Sequence, residues 1–164
     1  MASDSVMIQA SAEAVAATLR DMAGLEAVAR DSVSKVVATP EGVSALLWLT
    51  PAANSAVTPL AAKSSAAGDF AIDFPTQVAE ELARRVFASS GAELNEAMVP
   101  DCVGEVANVV AGQAKTLLVG TAQHFVFSTP EVMPVTFPNP GTERKVIRFI
   151  SEIGEFLLYL RLPS

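Results

Sequence analysis

Four residues of unlike type share one helical spacing in the stretch Asp101-Cys-Val-Gly-Glu105-Val-Ala-Asn108-Val-Val-Ala-Gly112. At roughly 100° per residue, Asp101, Glu105, Asn108 and Gly112 fall within an arc of about 60°. Val103, Val106, Val110 and Leu117 occupy the opposite positions and can face a core. The helix therefore carries a stripe of carboxylate, carboxylate, amide and glycine on an otherwise apolar cylinder. An amide both donates and accepts hydrogen bonds without titrating. Asn in a helix interior competes with its own backbone and costs several tenths of a kcal/mol, roughly, against Ala, so something should offset it. Periodicity alone favours a plainer reading: the wet face of a surface helix, with Asn108 tolerated and Gly104 and Gly112 serving close packing.

Other residues that could do chemistry lack companions. His124 is the single histidine, which removes any His-based metal pair, and a lone His in a presumed strand reads as a surface or interface residue. Cys102 precedes the apolar Val103 and has no basic neighbour in sequence, so it reads as a small buried residue rather than a nucleophile. Ser64-Ser65 and Ser89-Ser90 sit in no nucleophile-elbow pattern, and no glycine-rich phosphate loop is present. The expectation is a chain with no metal site and no cofactor of its own.

Composition bounds the partners. At 164 residues the chain suits one domain spanning 1–164. Eighteen acidic against eleven basic residues give a formal charge of −7, and the basic residues are scattered. A nucleic-acid binder needs clustered Lys and Arg to displace counterions, so nucleic acid and anionic lipid are poor partners. The strongest apolar runs, 45–49 and 156–160, fall far short of the ~20 residues of a spanning helix. The first eleven residues hold no Lys or Arg and include Asp4, unlike a signal peptide, and Cys102 is alone. The expected location is cytoplasmic.

The elements that must position the stripe follow from hydrophobic period. Ile8, Ala12, Val15, Leu19, Met22 and Leu25 predict a helix over 8–29. Segments 34–38 and 43–50 read as strands joined in a hairpin through Pro40-Glu41-Gly42. The Ala-, Ser- and Pro-rich 51–68 reads as an irregular connection with a short strand near 55–60. A strand over 69–74 runs into a helix with Thr76 as N-cap, Glu80-Glu81 in its first turns, and Ser89-Ser90-Gly91 at its end. Further helix runs from about 93 to 118, with a kink or restart at Pro100. Strands follow at 121–128, 132–136, 145–152 and 155–162. Strand runs with segregated helices imply an α+β fold, an antiparallel-rich β-sheet with long helices packed on one face.

The pattern Asp101-x3-Glu105-x2-Asn108, with Pro130 downstream, resembles the signature of the CheC/CheX/FliY chemotaxis phosphatase family. Its context is similar too: Gly104 directly before the Glu, Ala111-Gly112 after the Asn, and the step Phe127-Ser128-Thr129-Pro130-Glu131-Val132. The Gly-led strand and helix over 68–87 add to the likeness. Helix 8–29 holds no Glu-x2-Asn, so the chain resembles single-site CheX rather than two-site CheC.

The resemblance implies a CheX-like (CheC-like) fold and hydrolysis of the aspartyl phosphate of a CheY-like response-regulator receiver domain. Asn108 would orient the attacking water and Glu105 would dock on the receiver's lysine, making these two the catalytic candidates. Asp101 and Gly112 would contact the substrate domain, although Asp101 serves equally well as a helix N-terminal charge. Mg²⁺ is expected in the partner receiver. A homodimer is implied by the resemblance alone. The rival is a non-catalytic CheC-like module that binds a chemotaxis or two-component signalling protein.

Overall fold

The computed structural model describes residues 2–37, 40–51, 68–91, 93–121, 125–132, 137 and 141–162. Helix α1 (Ala2–Ala23) buries Met7, Ala14, Val15 and Leu19 along one stripe. It stops short of the expected residue 29 because Gly24 turns to φ 61°, a conformation that glycine adopts at little cost. There Gly24 N–H donates to Arg20 O at 3.0 Å and Leu25 N–H to Leu19 O at 3.1 Å, closing the helix. The chain leaves directly into β1 (Ala27–Val36), a longer and earlier strand than 34–38.

The expected hairpin does not form. Strand β2 (Val43–Pro51) pairs antiparallel with β3 (Gly68–Phe74), whereas β1 pairs with β6 (Glu143–Ser151). The segment before β2 is committed to β3: Gly42 N–H donates to Asp73 Oδ1 at 3.0 Å, and a β carbon on Gly42 would run into Phe74 O. Adding β4 (Phe125–Phe127), β5 (Glu131–Val132) and β7 (Gly154–Arg161), the described residues form a seven-stranded sheet in the order β1-β6-β7-β3-β2-β4, with β5 also on β2. Every pairing is antiparallel.

Side chains alternate across this sheet with period two. Leu47, Leu49, Phe70, Ile72, Phe74, Ile147, Phe149, Phe156, Leu158 and Leu160 face one core with the helices. Within it Phe149 stacks on Phe156 at 5.0 Å, and Phe74 lies 4.8 Å from Phe156. The other face holds a smaller cluster of Leu46, Ala71, Phe137, Val146 and Tyr159. Beside that cluster the fully buried Asp69 accepts from Arg144 Nε and Nη2, each at 3.0 Å, and from Arg161 Nε at 2.7 Å.

Helix α2 (Thr76–Val86) is capped by Pro75 rather than Thr76, with no side-chain cap and no acid in its first turn. Proline suits this entry because its carbonyl still accepts from Ala79 N–H at 2.9 Å while its ring fixes φ. Glu81 instead pairs with Arg84 and Arg85 one turn on. A 3-10 turn (Ala88–Ser90) ends at Gly91, φ 70°. Helix α3 (Met98–Leu117) packs on α1, α2 and β2, so the long helices share one face of the sheet. The α+β architecture with an antiparallel sheet is as the sequence implied. The expected strand near 55–60, the continuation over 133–136 and His124 lie outside the described residues.

Candidate functional site

The site is built on α3, and its start is fixed locally. Asn95 accepts the Met98 N–H at its carbonyl (3.1 Å) and at its Oδ1 (3.2 Å). Pro100 then falls in the first turn, where a missing N–H has no helical partner to lose. Helix does not run through from 93 and kink: it begins at Met98. Asp101 follows in that first turn, where a carboxylate meets the positive end of the helix dipole.

The two faces separate as the spacing requires. Cys102, Val103, Gly104, Val106, Ala107, Val110, Ala111 and Ala114 are buried. Asp101, Glu105, Asn108 and Gly112 are all exposed. Leu117 corrects the reading: it is 46% exposed, and Leu118, one residue on and fully buried, takes the inward place as the helix ends. Glu105 and Asn108 are three residues apart, so about 4.5 Å separates them along the axis and they project side by side. Among the described residues neither side chain has a hydrogen bond or ion pair. Both are thus available to a molecule that approaches the helix.

Cys102 lies below this face. Burial first and the Glu105 charge second push its thiol up to about 11, which leaves it an inert core residue. Alongside, α1 and α3 form a groove of about 310 Å³ lined by Glu13, Ala17, Gly112, Gln113, Thr116 and Leu117. Gly112 therefore joins the stripe to a second element. The sequence carried no sign of this neighbour, because α1 and α3 lie far apart along the chain.

The step after β4 is held firmly. Ser128 N–H donates to Trp48 O at 3.0 Å, Trp48 N–H donates to Ser128 Oγ at 2.8 Å, and Ser128 Oγ donates to Thr129 O at 3.0 Å. Pro130 then leads into β5, which pairs with β2 and packs beneath α3. The motif helix and its downstream proline, distant in sequence, thus flank one region of the fold.

A larger cavity of about 410 Å³ lies elsewhere, lined by Glu41, Gly42, Asp73, Thr76 and Glu155 among others, and touches none of the four stripe residues. Burial raises the Asp73 carboxyl there against the lowering effect of hydrogen bonds from the Gly42 and Glu41 backbone. Among the described residues no group of three or more His, Cys, Asp or Glu side chains could hold a metal ion. Also among them, no helix is long and apolar enough to cross a membrane.

The antiparallel sheet with long helices on one face is the CheX/CheC-like fold. The family model described as chemotaxis phosphatase CheX matches residues 57–136, a span that contains the whole motif and Pro130. The resemblance to the CheC/CheX/FliY chemotaxis phosphatase family is thereby shown. Among solved structures, a chemotaxis protein CheX from Desulfovibrio desulfuricans is similar with TM-score 0.75 and 21% identity, over 95% of this chain and 98% of that one. CheX in a CheX-CheY-BeF3-Mg+2 complex from Borrelia burgdorferi is similar with TM-score 0.63 and 19% identity, over 96% and 97%. Thermotoga maritima FliY gives TM-score 0.61 and 18% identity, over 94% and 84%. No curated protein sequence matches the chain.

Proposed function

We propose that this chain, acting as one domain, hydrolyses the aspartyl phosphate of a CheY-like receiver domain. One observation carries the reading: Glu105 and Asn108 stand exposed, adjacent and unengaged on a helix whose other face is core. An exposed helix face suits a macromolecular substrate better than a small molecule, which would call for an enclosing cavity. The family match and the likeness to a CheX solved with CheY support the partner class.

In this reading the Asn108 amide enters the receiver's phosphate pocket and holds a water in line with phosphorus. Glu105 pairs with the receiver's lysine and so fixes the depth and angle of Asn108. Asp101 and Gly112 contact the receiver on either side, and Mg²⁺ belongs to the receiver. Phosphoryl transfer asks mostly for positioning and electrostatics, so one amide and one carboxylate suffice as the chain's contribution. The cytoplasm, where receiver domains work, is the implied location.

Two copies are expected to associate through β1. That edge strand leaves Val28 at 50%, Val33 at 52% and Val36 at 59% exposed among charged and polar residues, and the outer backbone groups of an edge strand are a template for another strand. Antiparallel pairing centred on Val33 would set Asp31 opposite Lys35 of the second copy.

The test is the decay of phosphorylated receiver with Mg²⁺, alone, with the wild type and with Asn108→Ala. Acceleration by the wild type that falls by ~10²–10³ in the variant, the usual scale for one lost transition-state hydrogen-bonding group, supports the assignment. Binding of receivers with no acceleration in any of them would replace it with the non-catalytic module.

A further inference from the structure

Gly104, immediately before Glu105, is buried on the sheet-facing side of α3. A β carbon at this position would sit 2.8 Å from Val132 Cγ2, closer than carbon atoms approach without displacement. Val132 is half of the two-residue β5 and is paired to Ala45 of β2. The chain leading to it is pinned to β2 by the reciprocal bonds between Ser128 and Trp48. So α3 rests on β5 at the very residue that precedes the candidate catalytic pair, and only a hydrogen atom separates helix backbone from the Val132 methyl.

We infer that Gly104 is a positioning residue. By letting α3 settle onto Val132 it sets the height of Glu105 and Asn108 relative to the step 128–131, whose Thr129 and Glu131 are exposed and whose Pro130 is half-buried. Helix face and strand step then form one surface against which a receiver seats. This rests on the phosphatase reading above and adds to it a residue that never touches the substrate. Val132 has little room to yield, since a β-branched side chain on a paired strand is confined in χ1. An added methyl therefore lifts the helix rather than swinging the valine, by about the 1 Å that separates 2.8 Å from ordinary contact. A displacement of that size in a positioned catalytic group costs on the order of 10²-fold in rate.

The experiment uses four proteins: wild type, Gly104→Ala, Val132→Ala and the double variant. Each is assayed for kcat and KM on phosphorylated receiver with Mg²⁺, and its urea midpoint is measured. Gly104→Ala is expected to lower kcat by about 10- to 100-fold at a nearly unchanged urea midpoint, because alanine's better helix propensity offsets part of the crowding. Removing the opposing methyls is expected to bring the double variant back to within about threefold of Val132→Ala. A fall in kcat at a held urea midpoint separates positioning from destabilisation, and the rescue traces that fall to the contact between residue 104 and Val132. A Gly104→Ala enzyme within twofold of wild type, or a double variant as slow as Gly104→Ala, overturns the inference and leaves the phosphatase reading intact. A wild type that accelerates no receiver overturns both.

Discussion

Replacing Asp69 by Asn tests how the sheet that carries the site is held together. Asp69 is fully buried in β3 and accepts three charge-assisted hydrogen bonds, two from Arg144 of β6 at 3.0 Å and one from Arg161 of β7 at 2.7 Å. Arg144 is itself fully buried, with its guanidinium carbon 4.3 Å above the Phe137 ring. Asparagine keeps one acceptor oxygen and turns the other into a donor. If the oxygen stays at Oδ1, the new NH2 faces both Arg144 Nη2 and Arg161 Nε, so two of the three bonds become donor-to-donor contacts. The buried Arg144 loses the carboxylate charge it faces in wild type, while Arg161, at 14% exposure, can recover some water. Breaking one partner of a buried ion pair costs about 3–5 kcal/mol. At ~2–4 °C per kcal/mol for a chain of this size, Tm should fall by roughly 6–20 °C. With an m-value of ~1–3 kcal/mol/M, the urea midpoint should fall by about 1 M or more. Circular dichroism melts of Asp69→Asn beside wild type measure this directly. Because Asp69 points to the face of the sheet away from the helices, activity per folded molecule should not change. A loss below about 1 kcal/mol would refute the claim that this cluster holds three strands together.

Burial raises the Asp73 carboxyl above its ordinary 3.8, so the folded state holds that proton more tightly than the unfolded chain does. Its favourable contribution is full below 3.8 and is lost as pH rises through the folded value. The stability of wild type minus that of Asp73→Asn should therefore fall as pH rises from 4 to 7, measured by urea midpoints. A difference that grows over that range would overturn the sign. If β1 edges pair two copies, Val33→Asp should place like charges face to face at the centre, and sedimentation equilibrium should report the monomer mass where wild type reports twice that. Equal masses would remove β1 from the interface.

The order of elements was legible from the sequence because hydrophobic period is a local property. Short apolar-rich segments bounded by turn residues marked β2, β3, β6 and β7, and the three- and four-residue spacing on α3 correctly set Asp101, Glu105, Asn108 and Gly112 on the face opposite Val103, Val106 and Val110. Strand partners were not legible. Pro40-Glu41-Gly42 has the residues of a hairpin turn, yet Gly42 bonds to Asp73 and passes beneath Phe74, a contact with residues more than thirty positions away. Gly24 was available as a stop signal for α1, and the apolar spacing that continues to Leu25 masked it.

The sequence by itself thus determined which side chains share a face, since each residue's direction depends on its own backbone and a few neighbours. Tertiary structure alone decided what each face meets. It made Asp69 a buried hub rather than a surface carboxylate, brought α1 alongside Gly112, and set Val132 against Gly104. Those are pairings between segments far apart along the chain, and their energy comes from excluding water and filling space jointly, which no single stretch of residues encodes.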